Sequence, residues 1–317
     1  MKQRILNILM SRRGYVSGEK MSEELNISRA AIWKHIKNLR NDGYEIESVT
    51  NKGYHLVSAP DMLDGNKISS RLTTKFTGRQ LVIFDETDST NLQAKQHSAY
   101  PNGTAFIADR QSVGRGRLGR QWDSPKGTGI WLTILLKPEI ALSDVSQITL
   151  AAGLAVCRAI GIGAKIKWPN DIVIGSKKVC GILTEMSAET DRVNYVVCGI
   201  GVNVNNESFP QELNSATSMR IEGNEKYERN IIIARILNEF EKAYTEFLNG
   251  GFTAISDEYK NHCVTLGRNV QVTFKNRTVT GTAKDITENG ALTVETADGD
   301  ISVNSGEVSV RGIYGYI

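Results

Sequence analysis

In the first ten residues the apolar positions Ile5, Leu6, Ile8 and Leu9 recur on one face of a helix. Gly18 to Leu25 predicts a second short helix, followed by Asn26 and Ile27. Ser28 offers a hydroxyl cap for a third helix. There Ile32, Ile36 and Leu39 repeat at spacings of four and three, predicting one buried stripe. Gly43 ends that helix. The run YEIESVTNKGYHLV then alternates on either side of Asn51-Lys52-Gly53, a hairpin signal.

From Gln80 the pattern changes. LVIF (81–84), TAFIAD (104–109) and GIWLTILL (129–136) read as strands, and Ser143 to Ile160 reads as a helix packed through Ile148, Leu150, Leu154 and Val156. KIKW, DIVI, VCGILTEM and VNYVVCGI add strands joined by short turns such as Gly175-Ser176-Lys177. This is a mixed-sheet α+β domain without regular βαβ alternation. A helix is expected over Glu228 to Leu248. VQVTF, RTVTGTAKDI, ALTVET, DISV and EVSVRG then form five short strands, with Asn289-Gly290 and Asp298-Gly299 as hairpin turns. Some fifty residues in five strands fit a small barrel. The expected domains are 1–63, a winged helix-turn-helix; 70–265, the central domain; and 267–317, the small β domain. The segments 60–77 and 205–227 carry no readable motif.

Composition adds bounds. The chain has 317 residues, 40% apolar and 23% charged, enough for two or three domains with real cores. No apolar run reaches membrane-spanning length and no signal-peptide cleavage region follows the N-terminal helix, so a cytoplasmic protein without a membrane partner is expected. Cys157, Cys180, Cys198 and Cys263 are widely spaced in apolar runs and read as buried thiols. The four histidines lack ligand spacing, and no residue is assigned to a metal.

Charge separates the modules. The first sixty residues hold ten Lys/Arg and six Asp/Glu, a net +4, whereas the whole chain is +3, leaving −1 for the rest. No acid occurs from Ser28 to Asn41. A basic third helix before a hairpin suits DNA, with the helix in the major groove and its lysines on phosphates. Ser28, Arg29, Trp33, Lys34 and Lys37 are the expected contacts. A protein-interaction domain with a solvated charged face is the alternative.

The candidate chemistry lies in three stretches. DRQSVGRGRLGRQW (109–122) gathers four arginines and three glycines between two strands. Its glycines let backbone wrap a ligand, its arginines can fork onto phosphate or carboxylate, and Trp122 offers a flat face. A disordered RNA-binding segment or a solvated loop could share this composition. Thr87-Asp88-Ser89-Thr90-Asn91 adds hydroxyls and an amide at a helix start, and Lys167-Trp168-Pro169-Asn170-Asp171 holds a lysine at a strand end.

DSTN, then Q-x-x-GRGRxxRxW, then KWPND, in this order, resembles the motif set of the biotin protein ligases. With the helix-turn-helix, the chain is similar to their bifunctional bacterial form, biotin–[acetyl-CoA carboxylase] ligase and biotin operon repressor. The resemblance implies a central fold related to class II aminoacyl-tRNA synthetases and an SH3-like C-terminal domain. It implies biotinyl-5'-adenylate formation from biotin and ATP with Mg²⁺, and transfer to a lysine of biotin carboxyl carrier domains. Carried over by position, Lys167, Arg115 and Arg117 are catalytic. Ser89, Thr90, Asn91, Gln111, Arg115, Gly116, Arg117 and Lys167 line the biotin site, and Arg117, Arg120 and Trp122 the ATP and adenylate side. The glycine-rich GIGVN stretch (199–203) brings backbone close to the ligand. The resemblance also implies operator DNA upstream of biotin synthesis or transport genes, and a homodimer promoted by the adenylate as corepressor. A lipoate ligase would share the central chemistry, but the arginine loop and the DNA module argue against it. A sensor without catalysis would not need Lys167 and the loop arginines.

Overall fold

The computed structural model describes residues 1–12, 14–41, 43–274, 277–305, 309–312 and 316–317. They divide into two units, Met1–Met62 and Leu63–Ile317. The first holds α1 (Lys2–Ser11), α2 (Gly18–Leu25), α3 (Arg29–Asn41) and the hairpin β1 (Glu45–Val49) and β2 (Gly53–Ser58). Ser17 caps α2 by accepting the Lys20 N–H, and Asn26 stops it in the left-handed region. The Ser28 hydroxyl accepts the Ala31 N–H at 3.2 Å, starting α3 as its sequence predicts. Ile5, Leu6, Met21, Leu25, Ile32, Ile36, Leu39 and Ile46 share one core. Gly53 sits at φ +104°, so close to the backbone of Val16 and Ser17 that a Cβ would overlap it. Arg40 donates to the Ile46 carbonyl at 2.9 Å and to Ser48 Oγ at 3.1 Å, tying α3 to the hairpin.

The second unit begins with α4 (Gly65–Ser69), whose N-terminal amides donate to Asp64 and whose Ile68 is buried. Its sheet has seven strands: β3 (Leu81–Thr87), β4 (Ala105–Gln111), β5 (Gly129–Leu136), β6 (Ala164–Lys167), β7 (Asp171–Ile174), β8 (Lys177–Ala188) and β9 (Val193–Asn203). Their order is β3-β4-β5-β9-β8-β7-β6, and only β3 and β4 run parallel. The helices are α5 (Thr90–Gln96), α6 (Val145–Ile160), α7 (Met219–Gly223), α8 (Arg229–Gly250) and α9 (Thr253–His262).

The two-residue period of β5 decides which face does what. Ile130, Leu132, Ile134 and Leu136 enter the large core with α6 and α8. Leu135 packs instead with Ala94 of α5, Phe106 and Val197 in a separate cluster. Trp131 and Thr133 share the parity of Leu135, so they belong to the α5 face.

The C-terminal strands β10 (Asn269–Thr273), β11 (Thr278–Ile286), β12 (Leu292–Thr296), β13 (Gly299–Val303) and β14 (Ser309–Gly312) form an antiparallel sheet in the order β13-β12-β11-β10-β14. This sheet leans on the central domain: Trp168 Nε1 donates to the Gly290 carbonyl at 3.1 Å.

The two stretches without a motif carry ties that hold the fold, and the second also reaches the site through Glu212, Leu213 and Ser215. The N–H groups of Lys75, Phe76 and Thr77 all donate to the Glu241 carboxylate of α8, holding that carboxyl below its usual range against the opposing effect of burial. Asn205 closes the other segment, donating to the Tyr227 carbonyl and accepting its N–H, both at 2.9 Å. All four cysteines are free and buried; burial pushes the Cys157 and Cys198 thiols up to about 12. Among the described residues no helix is long and apolar enough to cross a membrane.

Candidate functional site

The site forms where the α5 face of the sheet meets the glycine-arginine segment. Its first part is a pocket with a neutral wall of uncharged polar side chains, and Arg115, Arg117 and Lys178 also line it. Thr90 donates through its N–H (2.8 Å) and hydroxyl (3.1 Å) to Gln111 Oε1, and Gln111 Nε2 donates to Ser124 Oγ at 2.9 Å. The Thr133 hydroxyl lies 2.8 Å from Thr90 Oγ1 and 2.6 Å from Asn91 Oδ1. Asn91 Nδ2 donates to Glu185 at 2.8 Å, and Glu185 pairs with Lys95 at 2.6 Å. Each hydroxyl and amide is fixed by the next, which gives a rigid polar wall with little net charge. Glycine is required at Gly199 and Gly201. A Cβ on Gly199 would collide with Asn91, and one on Gly201 would sit 2.6 Å from Trp122 Nε1. The indole N–H groups of Trp122 and Trp131 are buried without partners among the described residues.

The second part is cationic, a cavity of about 560 Å³ lined by Arg117, Arg120, Lys167, Lys178 and Arg311. Lys167 ends β6 and is only 6% exposed. Burial draws its pKa down to about 8; Asp171 opposes this, while Lys178, Arg311 and Arg120 reinforce it. Asp171 is buried and would be pushed up by that alone, but Lys178 and Lys167 hold its carboxyl below the usual range. Burial also lowers the Arg117 guanidinium, against the pull of Asp171. Arg117 donates to Asn170 Oδ1 at 2.9 Å and to the Ser305 carbonyl of the C-terminal sheet.

The two parts join. Gly116, Arg117, Asn170 and Lys178 line both. Ser89, Thr90, Asn91, Gln111 and Arg115 lie in the neutral pocket, and Lys167 and Arg120 in the cationic cavity. The structure separates Trp122 from Arg120, which the motif places together on the nucleotide side. The Trp122 indole lies against Gly181 and Gly201 inside the neutral pocket, because those glycines leave strand surface flat enough for a ring. Only about 50 Å³ remains free there. The segment is also more ordered than a plain loop. Asp109 to Gln111 belong to β4, and an Arg115–Gln121 bridge closes the arginine turn.

Sequence reading missed Thr133, Lys178, Glu185 and Arg311. Thr133 had a signal, as one of two residues in GIWLTILL that are not apolar. Lys178, Glu185 and Arg311 had none, since a charged residue on a strand usually means only a solvated edge. In the first unit Ser28, Arg29, Trp33, Lys34 and Lys37 are all exposed on α3 or its start, with Trp33 56% exposed.

Comparison with known proteins accords with this arrangement. Residues 81–203 match the biotin/lipoate A/B protein ligase family, residues 2–55 an HTH domain, and residues 265–311 the biotin protein ligase C terminal domain. The chain is 42% identical over 305 residues to the bifunctional ligase/repressor BirA of Bacillus spizizenii, covering 93% of this chain and 94% of that one. It is 29% identical over 310 residues to the Escherichia coli bifunctional ligase/repressor BirA, covering 96% and 95%. Among solved structures, the Aquifex aeolicus biotin protein ligase in complex with biotin and ATP superposes with a TM-score of 0.67 at 30% identity, over 74% of this chain and 99% of that one. With a helix-turn-helix unit, a ligase sheet and a C-terminal β domain joined in that order, the chain belongs to the biotin protein ligases of the bifunctional ligase/repressor kind.

Proposed function

We propose that the neutral pocket takes the fused rings of biotin and that the cationic cavity takes ATP, with the reacting atoms meeting at Arg117 and Lys167. The observation that carries this reading is the shared lining of Gly116, Arg117, Asn170 and Lys178. A biotin carboxylate oxygen attacks the α-phosphorus of ATP. One phosphorus–oxygen bond forms, the bond to the β-phosphate breaks, and pyrophosphate leaves. Both reactants are anions, so fixed cations in a water-poor site lower the barrier. Lys167 and Arg117 would meet the developing charge, Arg115 the carboxylate side, and Arg120 the phosphates. A lysine amine of a biotin carboxyl carrier domain then attacks the adenylate carbonyl, AMP leaves, and the amine loses its proton.

Ser89, Thr90, Asn91 and Gln111 would fix the rings of biotin, and the unpartnered indole N–H groups would meet its acceptors. Because little free space remains, Trp122 would swing aside for biotin and then cover the adenine. Mg²⁺ would enter with the ATP phosphates and supply further positive charge there. α3 would read operator DNA through Ser28, Arg29, Trp33, Lys34 and Lys37. A single module offers few base contacts, so two modules on symmetric half-sites are expected. Biotinyl-adenylate would act as corepressor by favouring a homodimer, in a cytoplasmic setting where carrier domains compete for it.

Two experiments test this. Biotin, and not lipoate, should support ATP–pyrophosphate exchange and label transfer to a carrier domain. Sedimentation with and without ATP plus biotin should show association, with tighter operator binding. A filled protein that stays monomeric and binds operator no better would remove the coupling.

A further inference from the structure

Tyr316 lies far from every motif, yet its ring rests against the catalytic candidate. Lys167 Nζ sits over that ring at 3.9 Å from its centroid. The Tyr316 hydroxyl donates to Asp171 Oδ2 at 2.6 Å. The same oxygen is 3.9 Å from Lys167 Nζ, beyond hydrogen-bond reach. The other oxygen, Oδ1, is 2.6 Å from Lys178 Nζ. The carboxylate nearest Lys167 is therefore engaged on both sides by other groups. Among the described residues, no side-chain hydrogen bond reaches Lys167 Nζ.

That arrangement solves a problem of any catalytic lysine. A buried ammonium needs compensation, or it loses its proton. A carboxylate bonded directly to it would supply that, but would also occupy the N–H donors that an incoming substrate needs. An aromatic face compensates the charge by its quadrupole and accepts no conventional hydrogen bond. We propose that Tyr316 is a positioning residue of the ligase site: its hydroxyl holds Asp171 off Lys167, and its ring carries the ammonium so that the N–H donors stay free for the carboxylate and α-phosphate. This rests on the proposed role of Lys167 in adenylation. It also makes the C-terminal end of the chain part of the reaction centre.

The charged groups around Lys167 bear on the test. Asp171 comes from β7, Lys178 from β8, Arg117 and Arg120 from the arginine segment, Glu212 from the 205–227 segment, and Arg311 from β14. Tyr316→Phe keeps the ring and removes only the hydroxyl. Asp171 Oδ2 is then released and closes on Lys167 as an ion pair. That pairing stabilises the ammonium and ties up its donors.

The measurement is biotin-dependent ATP–pyrophosphate exchange from neutral to alkaline pH, with Lys167→Ala beside it. Tyr316→Phe should lower kcat roughly tenfold, the scale of one hydrogen bond to a charged group, with KM for ATP and biotin little changed. Its alkaline limb should move to higher pH than that of the unaltered protein. Tyr316→Ala should lose more, since the ring goes too; if it fails to fold, Tyr316→Phe alone decides. A Tyr316→Phe limb that stays in place, or a loss confined to KM, overturns the proposal. Faster exchange with a lower KM for ATP also overturns it, because the ring would then be blocking the nucleotide. Intact exchange in Lys167→Ala would sink the role of Lys167 itself, whereas loss there with Tyr316→Phe unchanged sinks only the role of Tyr316.

Discussion

Of the lysines that lie against aromatic rings, Lys37 and Lys167 do so with opposite results. Lys37 of α3 sits 5.4 Å from the centroid of Trp33, on an exposed face. Lys167 sits 3.9 Å from the centroid of Tyr316 and is 6% exposed. Water solvates the first, so its charge is cheap to keep and screened by salt. The second has lost most of its water, so its charge depends on its neighbours. An exposed charge suits a polyanion that is gripped and released as counterions exchange. A desolvated one suits charge that develops only in a transition state.

The largest test of this contrast removes each charge in turn. Lys167→Ala should cut biotin-dependent ATP–pyrophosphate exchange on the order of a hundredfold or more, with biotin binding changed far less. Exchange kinetics equal to those of the unaltered protein would break the comparison at its buried end. Arginines extend it. Arg229 is fully buried against Asp109, 2.6 Å away, and the Gly129 carbonyl. Asp109→Ala should cost about 2 kcal/mol or more in a denaturant melt, because a buried guanidinium loses a close counter-charge. Arg29→Ala on exposed α3 should leave that melt unchanged.

The pH dependence sharpens the contrast further. Burial lowers the Lys167 pKa to about 8, and in the proposed reaction the ammonium is the form that works. Adenylation should therefore hold below that pH and fall as pH rises through it. Operator binding by the empty protein should not change over the same interval. A parallel decline of both would mean that the alkaline loss is not local to Lys167. The smallest effect belongs to the exposed end: Lys37→Ala should weaken operator binding severalfold and reduce its log-log salt slope by about one, with ligation intact. An unchanged slope would remove Lys37 from the phosphate contacts.

What could be read from sequence follows the same division. Ile32, Ile36 and Leu39 announced α3 by spacing alone, and the five C-terminal strands were punctuated by Asn289-Gly290 and Asp298-Gly299. Local periodicity and turn chemistry fix such features within a few residues. The three motifs also marked about half of the lining of each cavity, because polar and glycine-rich residues at strand ends have few structural reasons to cluster. Tyr316 was illegible, since its partner Asp171 lies 145 residues away. The place of Trp122 was set by Gly181 and Gly201 on two other strands, and α9 has too weak a period to stand out between α8 and the β domain. Such contacts exist only once the sheet has formed.

The ties ahead of the first ligase strand bear on how the chain can be divided. Glu241 receives three consecutive N–H groups from Lys75 to Thr77. Asn238 accepts the Thr73 N–H and donates to the Arg71 carbonyl, while Asn230 accepts the N–H of Asp64. These fifteen or so residues look like a tether in sequence, but α8 grips them along their whole length. The boundary between the two units therefore falls near Met62 and Leu63, well before β3. A ligase relieved of its DNA reader at that seam keeps every one of these ties. One cut just before β3 would strip the amides from Glu241 and lay open the ground on which Ile68 rests. A change of DNA reader made at that boundary leaves the grip of α8 on residues 64–77 intact.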